Sequence, residues 1–198
     1  ELINKKGKFD IIKPSRTDLD LSDSEKCRNY VKKLSPEVLI NLAAYTSVDK
    51  AEKNINEARN INSLALKSFA NALKETGGHI IQISTDYVFN GEQNYPYKTS
   101  DTRNPLGVYG KTKYEGERFL ENILKNTCQF TIIRTSWLVG PWRENFVKTI
   151  LKKLKSKNDQ KSLKIVSDQF GCITTTESLS KIILNLLTQK IIQESVKG

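Results

Sequence analysis

Short apolar runs alternate with longer amphipathic segments along this chain of 198 residues. The apolar runs predict strands at residues 8–12, 37–44, 80–84, 130–136 and 163–166. The intervening segments predict helices at residues 23–34, 48–53, 55–75 and 145–155, one beginning near residue 109, and a last one around 182–187. Strands and helices that alternate in this way form βαβ units, so we expect an α/β fold with a doubly wound parallel sheet.

The helical segments carry two further expectations. Ser22 or Asp23 precedes the first helix and should cap it, because a short polar side chain can accept a hydrogen bond from the first-turn backbone. Apolar spacing in the helix at 145–155 predicts a buried face made of Phe146, Ile150 and Leu154.

The formal net charge is +10, which raises the question of a nucleic-acid partner. Part of the excess is local, because seven lysines and one acid, Asp159, lie between Lys148 and Lys164. That run has no interleaved aromatic residues, so we interpret it as a solvated helix face followed by a loop and expect no nucleic acid. The positive charge could instead steer a phosphate-bearing substrate.

Cysteine usage and hydropathy favour a soluble cytoplasmic protein. Cys27, Cys128 and Cys172 are widely spaced, which is typical of reduced structural thiols, and His79 has no ligand partner at useful spacing, so we expect no metal site. No apolar run approaches the roughly 20 residues that span a membrane, and no secretory pattern appears. The chain has no Met and begins with Glu1, so we also expect it to be part of a longer product.

The candidate chemistry lies between Ser84 and Lys113. The strand before Ser84 should deliver Ser84 and Thr85 to its carboxyl end, where ligands bind in open α/β sheets. Tyr109 and Lys113 are four residues apart, so on a helix they share one face. A lysine ammonium should lower the pKa of the tyrosine from its usual value of about 10. Such a phenol can protonate a carbonyl oxygen while hydride reaches its carbon, and Thr85 would hold the same oxygen.

Four segments in this order resemble one family closely. They are Asn41–Glu52, Ser84–Gly91, Asn104–Lys113 and Arg134–Trp137. The family is the dTDP-4-dehydrorhamnose reductases, which are extended short-chain dehydrogenases/reductases, and the likeness runs in register from Glu1 to about Leu187. It implies a Rossmann-like sheet with a small substrate-binding lobe. Residues 1–137 would form the NAD(P)-binding domain, and residues 138–198 would contribute to the lobe and to the sheet.

The resemblance also implies roles for individual residues. The catalytic positions are Thr85, Tyr109 and Lys113, with Tyr109 as proton donor. The cofactor positions are Asp20, Leu21, Ala43, Ala44, Tyr45 and Asn62, together with Tyr109 and Lys113. The substrate positions are Asp86, Tyr87 and Trp137, although Trp137 is equally interpreted as a core or rim aromatic. The implied reaction is NADPH-dependent, or NADH-dependent, reduction of the C4 ketone of a dTDP-sugar, dTDP-4-dehydro-L-rhamnose, for cell-surface polysaccharide synthesis.

The chain departs from the family pattern at its beginning. Members open with a strand and a Gly-rich turn for the pyrophosphate, and Glu1 and Leu2 correspond to the residues just after it. The C-terminal lobe also looks shortened, so we expect this chain by itself to bind cofactor poorly. Arg16 could meet the 2′-phosphate of NADPH. The resemblance allows for a homodimer and for Mg²⁺, neither of which the sequence itself identifies.

Two alternatives stay open. Another sugar-nucleotide enzyme, an epimerase or a dehydratase, would share the Tyr109 and Lys113 spacing but would not consume NADPH. A non-catalytic NADP-binding protein, like the regulatory subunit of methionine adenosyltransferase, also resembles this family and would act through a partner enzyme.

Overall fold

A parallel three-stranded sheet organises the part of the chain that the computed structural model describes, which is residues 9–142, 144–155 and 165–189. Its strands are β1 (Val38–Asn41), β2 (His79–Thr85) and β3 (Phe130–Thr135), in that spatial order. The register pairs Asn41 with Gln82 and Thr85 with Thr135. All three strands therefore end at the same edge of the sheet.

Helices connect and cover the strands. They are α1 (Ser24–Leu34), α2 (Val48–Ala51), α3 (Ile55–Arg59), α4 (Ala65–Thr76), α5 (Val108–Ile123), α6 (Phe146–Lys155) and α7 (Thr176–Thr188). A π-helical turn (Asn60–Leu64) joins α3 to α4, and a 3₁₀ turn (Asp86–Val88) follows β2. A second, two-stranded parallel sheet consists of β4 (Leu138–Val139) and β5 (Thr174–Thr175).

Alternating side chains of the strands build two separate cores. On one face, Ile80 packs with buried residues of α1, α4 and α5. On the other face, Ile81 packs with Leu179, Ile183 and Leu187 of α7. Because neighbouring residues of a strand point to opposite faces, a run such as Ile80-Ile81 serves both cores. Helices on both faces of a parallel sheet confirm the predicted doubly wound α/β fold.

Most predicted elements are present with small shifts of their ends. The cap of α1 is Asp23, whose carboxylate accepts a hydrogen bond from the Lys26 backbone N–H at 2.9 Å. The helix predicted at 55–75 is continuous in space, but the π-helical turn interrupts its α-helical hydrogen bonding. Apolar spacing over a single turn is too short a signal to distinguish a π turn from an α turn.

Three predictions are wrong for the described residues. Residues 9–12 and 165–166 form no strand, and Lys8, Leu163 and Lys164 lie outside the described part. The helix at 145–155 is present as α6 but buries none of its residues, and Phe146 and Leu154 are 64% and 67% exposed. An apolar run becomes a strand, and an apolar face becomes a core, only where another element lies against it. Among the described residues, no strand pairs with residues 9–12 or 165–166, although Phe9 packs against the core that includes α7, and α6 has no fully buried residue.

None of the helices in the described ranges combines the length and the apolar character needed to cross a bilayer.

His79 joins the start of β2 to the strand beside it. Its Nδ1 lies 2.8 Å from the Cys128 carbonyl oxygen, and its Nε2 lies 2.9 Å from the Thr131 hydroxyl. A carbonyl can only accept, so Nδ1 carries the proton and Nε2 accepts from the hydroxyl. Burial lowers the pKa of His79, because the charged imidazolium is desolvated there.

This geometry predicts a loss of stability in mild acid. A folded-state pKa below the unfolded value of about 6.5 contributes stability that is complete above pH 6.5 and is lost as the pH falls. His79 is the single histidine of the chain, so the free energy of unfolding should fall between pH 7 and pH 5 mainly through this residue. His79→Gln, which does not titrate, should flatten that dependence in urea titrations. An equal slope in the variant would contradict the assignment.

Candidate active site

A crevice of about 300 Å³ opens where the three parallel strands end. Its lining consists of Leu42, Ala44, Thr46, Val48, Ile83, Ser84, Thr85, Asp86, Tyr87, Tyr109, Lys113, Thr135, Ser136, Trp137 and Leu138. This is the edge at which open α/β sheets bind their ligands. Seven of the predicted site residues meet there, namely Thr85, Tyr109, Lys113, Ala44, Asp86, Tyr87 and Trp137.

The end of β2 and the first turns of α5 hold the predicted catalytic residues. The Lys113 ammonium is buried and donates a hydrogen bond to the Ile83 carbonyl oxygen at 2.7 Å. The Thr85 hydroxyl lies close enough to the Tyr109 phenol to influence its ionisation. Ile83 and Thr85, alternate residues of β2, thus meet residues one helical turn apart on α5, which fixes the phenol and the ammonium on one side of the crevice.

Burial decides the ionisation of both groups. It lowers the pKa of Lys113 to about 8, against the opposing charge of Glu117. It also raises the pKa of Tyr109, and the Thr85 hydroxyl lowers that pKa by a smaller amount. The prediction that Lys113 lowers the pKa of Tyr109 is therefore wrong for this structure, because desolvation is the larger effect. A phenol that keeps its proton at neutral pH is suited to donate it.

Asp86 and Tyr87 extend the site from the 3₁₀ turn. Thr85 Oγ1 donates to Asp86 Oδ1 at 3.1 Å and accepts from the Tyr87 backbone N–H at 3.2 Å. Burial raises the pKa of Asp86, and its charge helps to raise that of Tyr109. The Tyr87 ring meets the Tyr109 ring edge to face, with centroids 5.6 Å apart. A polar group and an aromatic surface therefore flank the phenol.

Trp137 lies on the rim of the crevice rather than in a core. Trp137 is 42% exposed, and its backbone φ of +43° is unusual for a residue with a large side chain. A Cβ at Gly171 would lie 2.9 Å from the indole Cε2, so only glycine lets the ring approach this closely. The strained backbone and the glycine contact together hold the indole at the opening.

Asn62 shapes the loop after β1 and does not line the crevice. Its Oδ1 accepts from the Tyr45 backbone N–H at 2.9 Å, and its Nδ2 donates to the Tyr45 carbonyl at 3.2 Å and to Thr112 Oγ1 at 3.1 Å. The π-helical turn carries Asn62 to this position, as such turns often do near functional sites. Ala44 borders the crevice, whereas Ala43 is exposed beside it and Tyr45 is held by Asn62.

Asp20 and Leu21 lie in the turn before α1, away from the crevice lining. Asp20 Oδ1 accepts from the backbone N–H and the hydroxyl of Ser22, both at 2.9 Å. Leu21 packs against the core beneath α1. Their predicted contact with an adenine stays a prediction.

Sequence reasoning missed a buried charged cluster beneath the crevice. Glu117 of α5 is 0% exposed and pairs with Arg134 of β3 and with Arg103. Ser84 is also buried, makes no well-formed hydrogen bond to the described residues, and lies near enough to Glu117 to help lower its pKa. Glu117 follows Lys113 by one helical turn, which was a usable signal, but nothing in the sequence shows that its carboxylate is buried.

Metal-ligating side chains are not clustered in the described residues. Residues 9–142, 144–155 and 165–189 contain no group of three or more His, Cys, Asp or Glu side chains that could hold a metal ion, so we assign no residue to one.

Comparison with known proteins places this geometry in a family. A family model described as the RmlD substrate binding domain matches residues 2–198. A dTDP-4-dehydrorhamnose reductase of Aggregatibacter actinomycetemcomitans is 34% identical and covers 100% of this chain and 65% of its own length. The chain therefore spans just under two thirds of that relative.

Two solved structures are also similar. A dTDP-4-dehydrorhamnose reductase of Clostridium acetobutylicum has a TM-score of 0.84 and 38% identity, covering 94% of this chain and 64% of its own. A dTDP-4-dehydrorhamnose reductase of Bacillus anthracis, in complex with NADP, has a TM-score of 0.83 and 33% identity, covering 93% and 64%.

Close packing of α5 on the 3₁₀ turn predicts the effect of Gly110→Ala. A Cβ at Gly110 would lie 2.2 Å from the Tyr87 carbonyl oxygen, which belongs to the backbone and cannot rotate away. Alanine favours a helix over glycine by about 1 kcal/mol, but overpacking costs about 1–3 kcal/mol. We therefore expect a lower free energy of unfolding, measured in urea.

The matched control is Lys111→Ala, the next residue of the same helix, which is exposed and should change stability by no more than about 0.5 kcal/mol. A Gly110→Ala protein at least as stable as the wild type would show that α5 does not need this approach.

Proposed function

This chain belongs to the family described as the RmlD substrate binding domain, and on that premise we propose that it carries the catalytic crevice of an NADPH-dependent reductase. The reaction converts the C4 ketone of dTDP-4-dehydro-L-rhamnose to the alcohol of dTDP-L-rhamnose. The observation that supports it is the meeting of Thr85, Tyr109 and Lys113 at one crevice at the ends of the strands.

Tyr109 acts as the general acid. NADPH, when bound, supplies the hydride that reaches C4, and the Tyr109 hydroxyl gives its proton to the ketone oxygen as charge develops there. The Thr85 hydroxyl, which donates to Asp86 Oδ1 in this structure, would turn its proton to the same ketone oxygen. The raised pKa of Tyr109 suits this role, since the phenol holds its proton until a stronger base, the developing alkoxide, is beside it. The Lys113 ammonium on the same helix face then stabilises the phenolate.

The residues at the strand ends fit the nicotinamide half of the cofactor. Ala44 is small and borders the crevice, which lets a flat ring approach the backbone, and Lys113 presents an ammonium suited to ribose hydroxyls. Ala43 and Tyr45 would continue this contact, and Asp20 and Leu21 would lie beside the adenine. The NADP complex of the Bacillus anthracis relative supports NADPH over NADH.

Asp86, Tyr87 and Trp137 would receive the sugar nucleotide. Tyr87 and Trp137 are both about two fifths exposed at the crevice, so a ligand can cover them. Residues 138–198 would contribute the substrate lobe, beginning with β4 and β5, while residues 1–137 would hold the cofactor. A cytoplasmic homodimer completes the proposal, and the mass of the full-length protein in solution tests the dimer.

The first test uses the full-length gene product with NADPH and dTDP-4-dehydro-L-rhamnose. NADPH absorbance should fall in proportion to product formed, and Tyr109→Phe should lower kcat by about 10²–10⁴-fold because the proton donor is lost. Tyr114→Phe is the matched control, since Tyr114 lies on the same helix beneath Arg103, outside the crevice lining, and keeps its ring.

Three outcomes would overturn the proposal. Sugar conversion without NADPH consumption would indicate an epimerase or a dehydratase. A folded protein that binds NADPH without turnover would favour a regulatory subunit. Equal activity of Tyr109→Phe and the wild type would remove Tyr109 from the chemistry.

A further inference from the structure

A cluster of four charges lies under the crevice, on the side of α5 that faces β3. Glu117 is fully buried, and both of its oxygens accept hydrogen bonds from Arg134, at 3.0 Å from Nε and 2.8 Å from Nη2. Arg103 donates to Glu117 Oε2 at 2.8 Å and to both oxygens of Glu121, at 2.7 Å and 2.9 Å. Two arginines and two glutamates make the cluster neutral as a whole.

The cluster adjoins the catalytic lysine. Glu117 follows Lys113 by four residues, so the two side chains share one face of α5, and Lys113 is only 4% exposed. Arg134 comes from β3, where it pairs in register with Ser84 of β2. Ser84 stands between Ile83, which accepts from Lys113, and Thr85, which borders Tyr109. Glu117 therefore links α5, which carries Tyr109 and Lys113, to β3, the strand that pairs with β2.

We infer that Glu117 is a positioning residue for the reaction proposed above: its carboxylate keeps the buried Lys113 charged and, through Arg134 and Arg103, fixes α5 against the ends of β2 and β3. The catalytic role of Glu117 rests on the proposed function. Its effect on the protonation of Lys113 does not, and can be measured by itself.

The proton affinity of Lys113 depends on the charged and polar groups around it. Glu117 from α5, Asp86 and Tyr87 from the turn after β2, Arg134 from β3, and Tyr109 from α5 surround this region. Burial lowers the pKa of Lys113, and Glu117 is the neighbour that raises it. Removal of the carboxylate would leave the cluster of Arg103, Arg134 and Glu121 with a net charge of +1. The ammonium would then lose its attraction and gain a repulsion.

Glu117 itself stays ionised at neutral pH. Burial raises the pKa of its carboxyl, but the hydrogen bonds from Arg134 and Arg103, with the Ser84 hydroxyl nearby, lower it more, so the pKa is below its usual value. A group that is always charged in the working range can hold Lys113 charged without titrating itself. On the proposed function, the alkaline limit of activity then follows the ionisation of Lys113, whose pKa burial lowers to about 8.

The test measures the proton affinity of Lys113 directly in the full-length protein without substrate. Carbon-13 NMR of labelled lysine, with Lys113→Arg to identify the signal, gives its titration. Glu117→Gln should weaken proton binding about tenfold, because losing an opposite charge one helical turn away, between two buried groups, lowers a lysine pKa by about one unit. The alkaline limb of kcat should move to lower pH by the same amount.

Glu121→Gln is the matched control. It removes a carboxylate from the same arginine, but Glu121 is one turn farther from Lys113 and partly exposed, so proton affinity should change less than about twofold. The double variant Glu117→Gln with Arg134→Gln removes the ion pair together and leaves Arg103 paired to Glu121, which protects folding if the single variant unfolds. It should also weaken proton binding by Lys113.

A proton affinity of Lys113 within twofold of the wild type in folded Glu117→Gln, or no weakening at all in the double variant, which also loses the positive charge of Arg134, would overturn the inference. A wild-type protein without reductase activity would instead overturn the proposed function, and it would leave this titration unaffected.

Discussion

The burial of one ammonium group at the end of a parallel sheet is the constraint on which the site depends. A desolvated lysine loses its charge unless hydrogen bonds and an opposite charge stabilise it. Lys113 finds the first in the Ile83 carbonyl and the second in Glu117. Both require α5 to lie directly on the end of β2. The position of α5, and therefore of Tyr109, is tied to these two contacts of Lys113.

Close approach of α5 is made possible by absent side chains. Gly110 meets the Tyr87 carbonyl, and Gly116 meets the Asn62 carbonyl, where a Cβ would lie 2.4 Å away. The second contact is made by the π-helical turn, which brings the backbone and the amide of Asn62 between α5 and the loop after β1. The two glycines, the π-helical turn and the buried ion cluster therefore act together. They hold α5, the turn after β2 and the loop after β1 around one crevice.

The sequence predicted the parts of this arrangement that depend on local pattern. Tyr109 and Lys113 could be placed together because helical spacing is regular, and Thr85 because parallel strands end at a common edge. It did not predict the depth to which the ammonium is buried, so the direction of the Tyr109 pKa was wrong. Asn62 also clamps Tyr45, which the sequence did not predict because the π-helical turn has no signature in residue type, and its contact with the cofactor stays a prediction. The exposed face of α6 and the unpaired residues 9–12 show the same limit: apolar pattern indicates which side of a segment is to be covered, and not what covers it.

Deuterium transfer tests the central claim, that this crevice brings hydride and proton to one carbonyl group. The full-length protein would be given NADPH deuterated at C4 of the nicotinamide together with dTDP-4-dehydro-L-rhamnose, and the sugar product would be examined by NMR. The account predicts dTDP-L-rhamnose with one deuterium on C4 of the sugar. A product without deuterium at C4, or a folded and cofactor-bound protein that returns the ketone unchanged, would contradict it.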